Sequence, residues 1–113
     1  MITDVPVSEI IDGAYKEFAM YTLEQRAIPS AIDGMKPVHR KLVYAMLKDS
    51  PSGKIKVADF ALSKYNYHHG EASAMGAAVS LAAEYNNNAP VFDGHGAFGT
   101  RLVQEAASPR YIY

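Results

Sequence analysis

Apolar residues recur at helical spacing along the first half of the chain. Residues 8–25 predict a first helix, with Ser8 as its N-cap. The run Ala27-Ile28-Pro29-Ser30 ends this helix, and Asp33-Gly34 predicts a turn. Pro37 then suits the first position of a second helix, because an N–H group at that position would have no partner within the helix. The apolar stripe of the second helix is formed by Val38, Leu42, Ala45 and Met46.

Two more helices and a change of pattern complete the chain. Residues 55–65 and 71–85 predict helices joined by a short glycine-containing connector, and such a pair fits a helix-turn-helix. Beyond Pro90, glycines alternate with short apolar runs, which predicts short strands and turns, with residues 110–113 as the last strand. Strands after a helix-turn-helix indicate a wing. The pattern therefore predicts one domain over residues 1–113, mainly α with a small β wing: a winged helix-turn-helix of the CAP-like type.

Composition narrows the class of protein. The chain has 113 residues, of which 49% are hydrophobic and 20% charged, and it has no cysteine. These values favour a folded domain without disulfides or thiolate metal sites, and a cytoplasmic location. Neither an apolar run long enough for a membrane span nor a secretory signal is found in the sequence. The net charge of -1 is unusual for a DNA-binding protein, but clustered basic residues allow a local basic face.

An arginine directly precedes a tyrosine in the run Ser108-Pro109-Arg110-Tyr111-Ile112. A tyrosine hydroxyl can attack a phosphodiester and form a phosphotyrosine, which the freed DNA end later reverses. The guanidinium fork of Arg110 suits phosphate oxygens. Taken alone, however, such a pair is more often structural, because Tyr111 is one of eight tyrosines and could simply pack in a strand.

Other polar residues suit the same phosphate chemistry. His69, with His68 beside it, can donate a hydrogen bond or carry a proton near neutral pH, although a solvated turn is the plainer interpretation. Arg26 by itself indicates nothing beyond a surface residue. One short basic segment could bind DNA phosphates, or it could be an ordinary solvated helix face. That segment contains Lys36, His39, Arg40 and Lys41.

Four motifs, in this order, resemble the DNA breakage-reunion domain of type IIA DNA topoisomerases over nearly the whole chain. Two of them resemble the eukaryotic enzymes and the T-even-type phage medium subunit more than bacterial gyrase, which usually places a proline between the two histidines. A start at Met1 without a preceding ATPase region suits a separately encoded cleavage subunit, of which these residues would be the N-terminal part. The motifs are Arg26-Ala27-Ile28-Pro29 with residues 33–41, residues 67–73, residues 92–102 and residues 107–112.

The resemblance implies a role for each matching residue. Tyr111 would form the 5′-phosphotyrosine, Arg110 and Arg26 would hold the scissile phosphate, and His69 would assist there. The resemblance also implies an ATP-dependent type II topoisomerase, most of which lies outside these 113 residues. The DNA contacts implied by it are Lys36, His39, Arg40, Lys41, His68 and Ser73.

Cofactors and partners follow from the same resemblance. Mg²⁺ would be held by a Toprim module on another chain or region, since Glu71, Glu84 and Asp93 are scattered and form no Asp-x-Asp pattern. ATP would bind to a further module. The implied partners are double-stranded DNA, a second copy of the chain at the DNA gate, and a Toprim/ATPase subunit. The alternative is a non-catalytic winged-helix DNA-binding module, in which Tyr111 is structural.

Overall fold

A computed structural model of the protein describes residues 1–49, 52–63 and 70–113. The chain divides into two compact units, Met1–Pro37 and Val38–Tyr113, and each is described by itself. Within the described residues, none of the helices combines the length and the apolar character that crossing a membrane requires.

The N-terminal unit is built on one nearly continuous helical stretch, which confirms the helix predicted over residues 8–25. It consists of α1 (Val7–Ile10), a π-helical segment (Ile11–Tyr15), α2 (Lys16–Thr22) and a second π-helical segment (Leu23–Ala27). The predicted N-cap was wrong. Pro6, with extended backbone, occupies that position and its carbonyl accepts the N–H of Glu9 at 3.1 Å, so Ser8 already lies inside the helix.

Apolar side chains of this helical stretch are exposed. Apolar residues recur here at helical spacing, but none of the residues of α1 or α2 is buried. Exposed apolar residues that form a contiguous patch often mark an interaction site. The most exposed of these large apolar side chains are Val7, Ile10, Ile11, Tyr15 and Phe18.

The predicted turn at Asp33-Gly34 is confirmed. The N–H of Met35 donates to Oδ1 of Asp33 at 3.0 Å, and the N–H of Gly34 donates to the carbonyl of Ser30 at 2.9 Å. Gly34 has φ of +70°, a value that glycine adopts without the steric cost of a Cβ. The turn leads the chain directly towards Pro37.

Three helices form the core of the second unit: α3 (Pro37–Asp49), α4 (Val57–Ser63) and α5 (Glu71–Ala82). Val38, Leu42 and Ala45 of α3 are buried, as their helical spacing predicts. The small residues of α5 serve packing, because Ala74 and Ala78 lie one turn apart and both are buried. The other buried residues are Val57, Phe60, Ala61, Leu81, Ala82, Ala83, Phe98 and Ile112.

Helices α4 and α5 pack against each other, in the order that a helix-turn-helix requires. The predicted connector falls on residues 66–70, of which only Gly70 lies within the described residues. Gly70 precedes α5 with φ of +100°, a backbone conformation that side-chain-bearing residues rarely adopt. Its positive φ therefore sets the direction in which the chain enters α5 at Glu71.

The strands predicted after Pro90 are not formed: among the described residues, 83–113 run through turns and irregular backbone. Residues 109–111 form a turn instead of a strand, because the N–H of Tyr111 donates to the carbonyl of Ser108 at 2.9 Å. Isolated backbone bonds replace a ladder, such as that from the N–H of Ala107 to the carbonyl of Ala97 at 2.9 Å. The confirmed part of the fold prediction is therefore the helical part.

Candidate functional site

Two backbone hydrogen bonds join the turn that carries Arg110 and Tyr111 to the start of α4. The N–H of Ala58 donates to the carbonyl of Pro109, and the N–H of Val57 donates to the carbonyl of Ile112, each at 3.1 Å. The first N–H groups of a helix have no partner within the helix, so they are available for such contacts. Arg110 and Tyr111 lie between the two anchored carbonyls.

Tyr111 and Ile112 face opposite environments. The side chain of Tyr111 is exposed, with 76% of its surface accessible, whereas Ile112 is 1% accessible and belongs to the hydrophobic core. Arg110 is exposed as well. The buried neighbour fixes the backbone on one side of Tyr111 and leaves the phenol open to a large substrate.

The residue after Ile112 is also held. The N–H of Tyr113 donates to the carbonyl of His95 at 3.0 Å, and the N–H of His95 donates to the carbonyl of Tyr113 at 2.8 Å. Gly96 follows His95 and lies directly against Ile112. The backbone around the predicted nucleophile is therefore supported from two directions, by α4 and by residues 95–96.

A cavity of about 530 Å³ opens beside this support. Its lining includes Phe60 and Phe98 on the apolar side and His95, whose Nε2 lies 3.5 Å from Oδ2 of Asp93, on the polar side. Tyr111 does not line the cavity. The predicted nucleophile thus stands on open surface, which suits a macromolecular substrate better than a small enclosed one.

The remaining predicted site residues lie in several parts of the chain. Arg26 and Lys36 belong to the N-terminal unit, where Arg26 is exposed at the end of the helical stretch. In the second unit, Arg40 and Lys41 are exposed on α3 and Ser73 is half-buried on α5. His39 is also half-buried on α3, and His68 and His69 lie outside the described residues. Among the described residues of the second unit, Arg110 and Tyr111 are adjacent in the anchored turn, and His39, Arg40 and Lys41 are consecutive on α3.

The charge is distributed unevenly between the two units. Residues 38–113 contain eight lysines and arginines against six acids, whereas residues 1–37 contain three basic residues against six acids. The unit that carries Tyr111 is thus net positive, although the whole chain is net negative. A net positive unit can attract DNA even though the net charge of the whole chain is negative.

The residues present do not fit a metal centre. Within the described ranges, three or more histidine, cysteine, aspartate or glutamate side chains nowhere come close enough together to hold an ion. The contact between Asp93 and His95 supplies only two such groups. No step of the chemistry is therefore assigned to a metal bound by these residues.

Sequence reasoning missed the residues that support the turn. Val57, Ala58 and Gly96 act through backbone atoms or through the lack of a side chain, and residue type does not report such roles. The available signal was the spacing Gly94, Gly96 and Gly99, which indicates close backbone approach as well as turns.

Comparison with known proteins places this arrangement in a family. The family of the DNA gyrase/topoisomerase IV A subunits matches residues 26–113. The chain is 44% identical, over 95% of its length, to the DNA topoisomerase medium subunit of Enterobacteria phage T4, and covers 25% of that protein. It is 36% identical to the A subunit of DNA topoisomerase 4 of Caulobacter vibrioides, over 97% of its own length and 15% of that protein.

A eukaryotic relative is similar at the same level. DNA topoisomerase 2 of Candida albicans is 36% identical over 99% of this chain, which covers 8% of that protein. The chain thus spans a quarter or less of the length of these relatives. The match extends over the described helices and the anchored Arg110-Tyr111 turn alike. This chain belongs to the family of the DNA gyrase/topoisomerase IV A subunits.

Proposed function

We propose that this chain is the DNA-cleaving, winged-helix domain of a type IIA DNA topoisomerase, and that Tyr111 is its nucleophile. The observation that carries the proposal is an exposed tyrosine next to an exposed arginine, on a turn whose two flanking carbonyls are bound by the first N–H groups of α4. The similarity to topoisomerase subunits supports the same conclusion.

The proposed reaction is a reversible phosphoryl transfer. The phenolic oxygen of Tyr111 attacks a DNA phosphorus, the bond from phosphorus to the 3′ oxygen breaks, and the 5′ end becomes a phosphotyrosine. The phenol loses its proton and the leaving 3′ oxygen gains one. Reversal of both steps reseals the strand, so the energy of the phosphodiester bond is conserved. Two copies of the chain, each cutting one strand, would make the double-strand break.

Arg110 and the basic residues have separate roles in this proposal. Arg110 would neutralise the scissile phosphate, together with Arg26 from the N-terminal unit, and His69 would donate a hydrogen bond there. Contacts to phosphates position the duplex without reading its sequence. These contacts would come from Lys36, His39, Arg40, Lys41, His68 and Ser73.

Other modules would complete the enzyme. Mg²⁺ and ATP would be bound by a Toprim/ATPase subunit or region, as the resemblance to type IIA topoisomerases implies. The exposed apolar side chains of Val7, Ile11 and Phe18 offer a surface to such a neighbour. The segment that corresponds to the wing of the proposed winged helix would be residues 91–113, which are held by isolated backbone bonds, such as those between His95 and Tyr113, rather than by strands.

Covalent linkage to DNA is the test. The full-length protein and its Toprim partner are mixed with supercoiled plasmid and Mg²⁺, stopped with detergent, and assayed for protein-linked linear DNA. Tyr111→Phe is expected to abolish linkage, whereas the matched variant Tyr113→Phe is expected to retain it. Loss in Tyr113→Phe alone, or retention in both variants, would contradict the assignment. Tight DNA binding without linkage in the wild type would favour the alternative, a DNA-binding module.

A further inference from the structure

We propose that Gly96 is a positioning residue for DNA cleavage, because it leaves the space that Ile112 occupies and so determines where Tyr111 stands. The inference rests on the proposed role of Tyr111 as nucleophile. Gly96 has no side chain with which to touch DNA. Its effect would pass through Ile112 to the neighbouring residue.

The contact between Gly96 and Ile112 leaves no room for a side chain. A Cβ added to Gly96 would lie 2.9 Å from Cγ2 of Ile112 and 3.5 Å from its Cα. Carbon atoms in good contact are about 3.5–4.0 Å apart, so the added atom would force a displacement. Gly96 also has φ of +123°, which strains any residue with a Cβ.

Ile112 cannot absorb that displacement through its side chain alone. It is almost fully buried among core residues, and its branch at Cβ leaves few alternative rotamers. Its carbonyl is bound by the N–H of Val57, and the next residue, Tyr113, exchanges two hydrogen bonds with His95. The displacement therefore reaches the backbone on which Tyr111 stands.

A small displacement of Tyr111 is enough to affect the reaction. Attack requires the phenolic oxygen within about 3–3.5 Å of phosphorus and in line with the leaving oxygen, and an error of about 1 Å can cost roughly 100-fold in rate. Duplex binding depends on phosphate contacts spread over the surface. Displacing one exposed phenol should leave that affinity unchanged. A substitution at Gly96 should therefore lower the rate of DNA cleavage without lowering the affinity for DNA.

Gly99 supplies a matched control within the same segment. It has φ of +98°, so Gly99→Ala introduces the same kind of backbone strain as Gly96→Ala. Its added Cβ would approach Tyr85, Val103 and Gln104 instead of Ile112. A difference between the two variants thus reports the contact with Ile112 and not strain in general.

The experiment uses the full-length protein with its Toprim partner. Three quantities are measured for each variant: the single-turnover rate of protein-linked DNA formation at saturating plasmid, the Kd for duplex DNA without metal, and Tm. Gly96→Ala is expected to lower the rate by about 100-fold with Kd unchanged within about twofold. Gly99→Ala is expected to show a similar fall in Tm but a rate near wild type. Equal rates for the two variants, or a Kd that weakens in step with the rate, would overturn the proposal.

A second pair of variants keeps the proposal testable if Gly96→Ala does not fold. Ile112→Leu conserves volume but moves the branch from Cβ to Cγ, which removes the methyl group that lies against Gly96. It is expected to lower the cleavage rate by about tenfold, whereas the equally buried swap Leu42→Ile in α3 leaves the rate unchanged. If both swaps behave alike, Ile112 has no special role and the proposal fails.

Tyr111→Phe, run in parallel, separates this inference from the proposed function. If Tyr111→Phe still forms linked DNA, the nucleophile is another residue and both proposals fall. If Tyr111→Phe is inactive while Gly96→Ala matches Gly99→Ala, the proposed function stands and only the positioning role of Gly96 is wrong.

Discussion

The N–H of Val57 donates a 3.1 Å hydrogen bond to the carbonyl of Ile112, the residue directly after Tyr111. Val57 is the first residue of α4, and Ile112 is one of the two largest fully buried side chains. The first residue of a helix of the predicted helix-turn-helix therefore binds the backbone of the residue that follows the proposed nucleophile. Because both partners are buried, the contact is shielded from competing water, and the bond is worth more than an exposed one.

Truncating the side chain of Ile112 should lower the stability of the protein in proportion to the volume removed from the core. Ile112→Val keeps both branches at Cβ and should lower the free energy of unfolding by about 0.5–1.5 kcal/mol, whereas Ile112→Ala should lower it by about 2–5 kcal/mol, because a cavity is left in the core. Urea denaturation of the two variants measures the difference. Val103→Ala, at an exposed position in the same C-terminal segment, is the control and should change little. Equal losses for Ile112→Ala and Val103→Ala would mean that Ile112 is not a core residue.

The sequence predicted the helices well because their signals are local. Pro37 at a helix start and the spacing of Val38, Leu42 and Ala45 depend only on residues within a few positions, and the structure bears them out. The predicted N-cap at Ser8 was wrong because Pro6 already accepts the first helical hydrogen bonds. The preference of serine for the N-cap position did not decide where the helix begins, because the extended backbone of Pro6 already places the N-cap there.

The C-terminal segment could not be predicted in the same way. Arg110-Tyr111-Ile112-Tyr113 has high β propensity, but that propensity expresses packing against neighbours, which the sequence does not specify. Here those neighbours are Val57 and His95, which are far away in the chain, and they bind the segment as a turn. Tyr111 could be proposed from the sequence because residue type carries the chemistry of a nucleophile. Gly96 could not, because the role proposed for it lies in an absent side chain, which residue type does not report.

The ring contact between Phe60 and Phe92 should be measurable as a coupling. Their centroids are 6.1 Å apart with an interplanar angle of 87°, an edge-to-face arrangement worth about 0.5–1.5 kcal/mol beyond burial. A double-mutant cycle with Phe60→Leu and Phe92→Leu is expected to show coupling of that size. Hydrogen exchange of the α4 amides reports the free energy of opening for each variant. Effects that simply add would mean that the two rings contribute independently.

Asn87 should stabilise the end of α5. Its Nδ2 donates to the carbonyl of Ser80 in the last helical turn at 2.8 Å and to that of Ala83, the residue that follows the helix, at 2.9 Å. Carbonyls of the last turn have no partner within the helix, so a side-chain donor can satisfy them. Asn87→Ala should cost about 1–2 kcal/mol locally, seen as faster hydrogen exchange in the last turn of α5. Asn88→Ala, at an exposed neighbour, is the matched control. Similar exchange in both variants would show that these hydrogen bonds contribute nothing.

The basic residues of α3 should contribute to DNA affinity through phosphate contacts alone. Arg40 and Lys41 are exposed in the net positive unit. Each substitution by alanine should weaken binding to a similar extent on any duplex sequence and reduce the slope of log K against log salt by about 1. Titrations of the full-length protein on two unrelated duplexes, at several salt concentrations, measure both quantities.

Lys16→Ala is the matched control for this prediction, since Lys16 is an exposed lysine on α2, outside the basic segment of residues 36–41. It should leave the salt slope unchanged. A slope that falls equally for Lys16→Ala and Lys41→Ala would mean that net charge, rather than contacts along α3, determines affinity. A loss confined to one of the two duplexes would instead indicate readout of base edges, which phosphate contacts do not provide. Uniform weakening by Arg40→Ala and Lys41→Ala alone would therefore locate the path of the DNA backbone along α3.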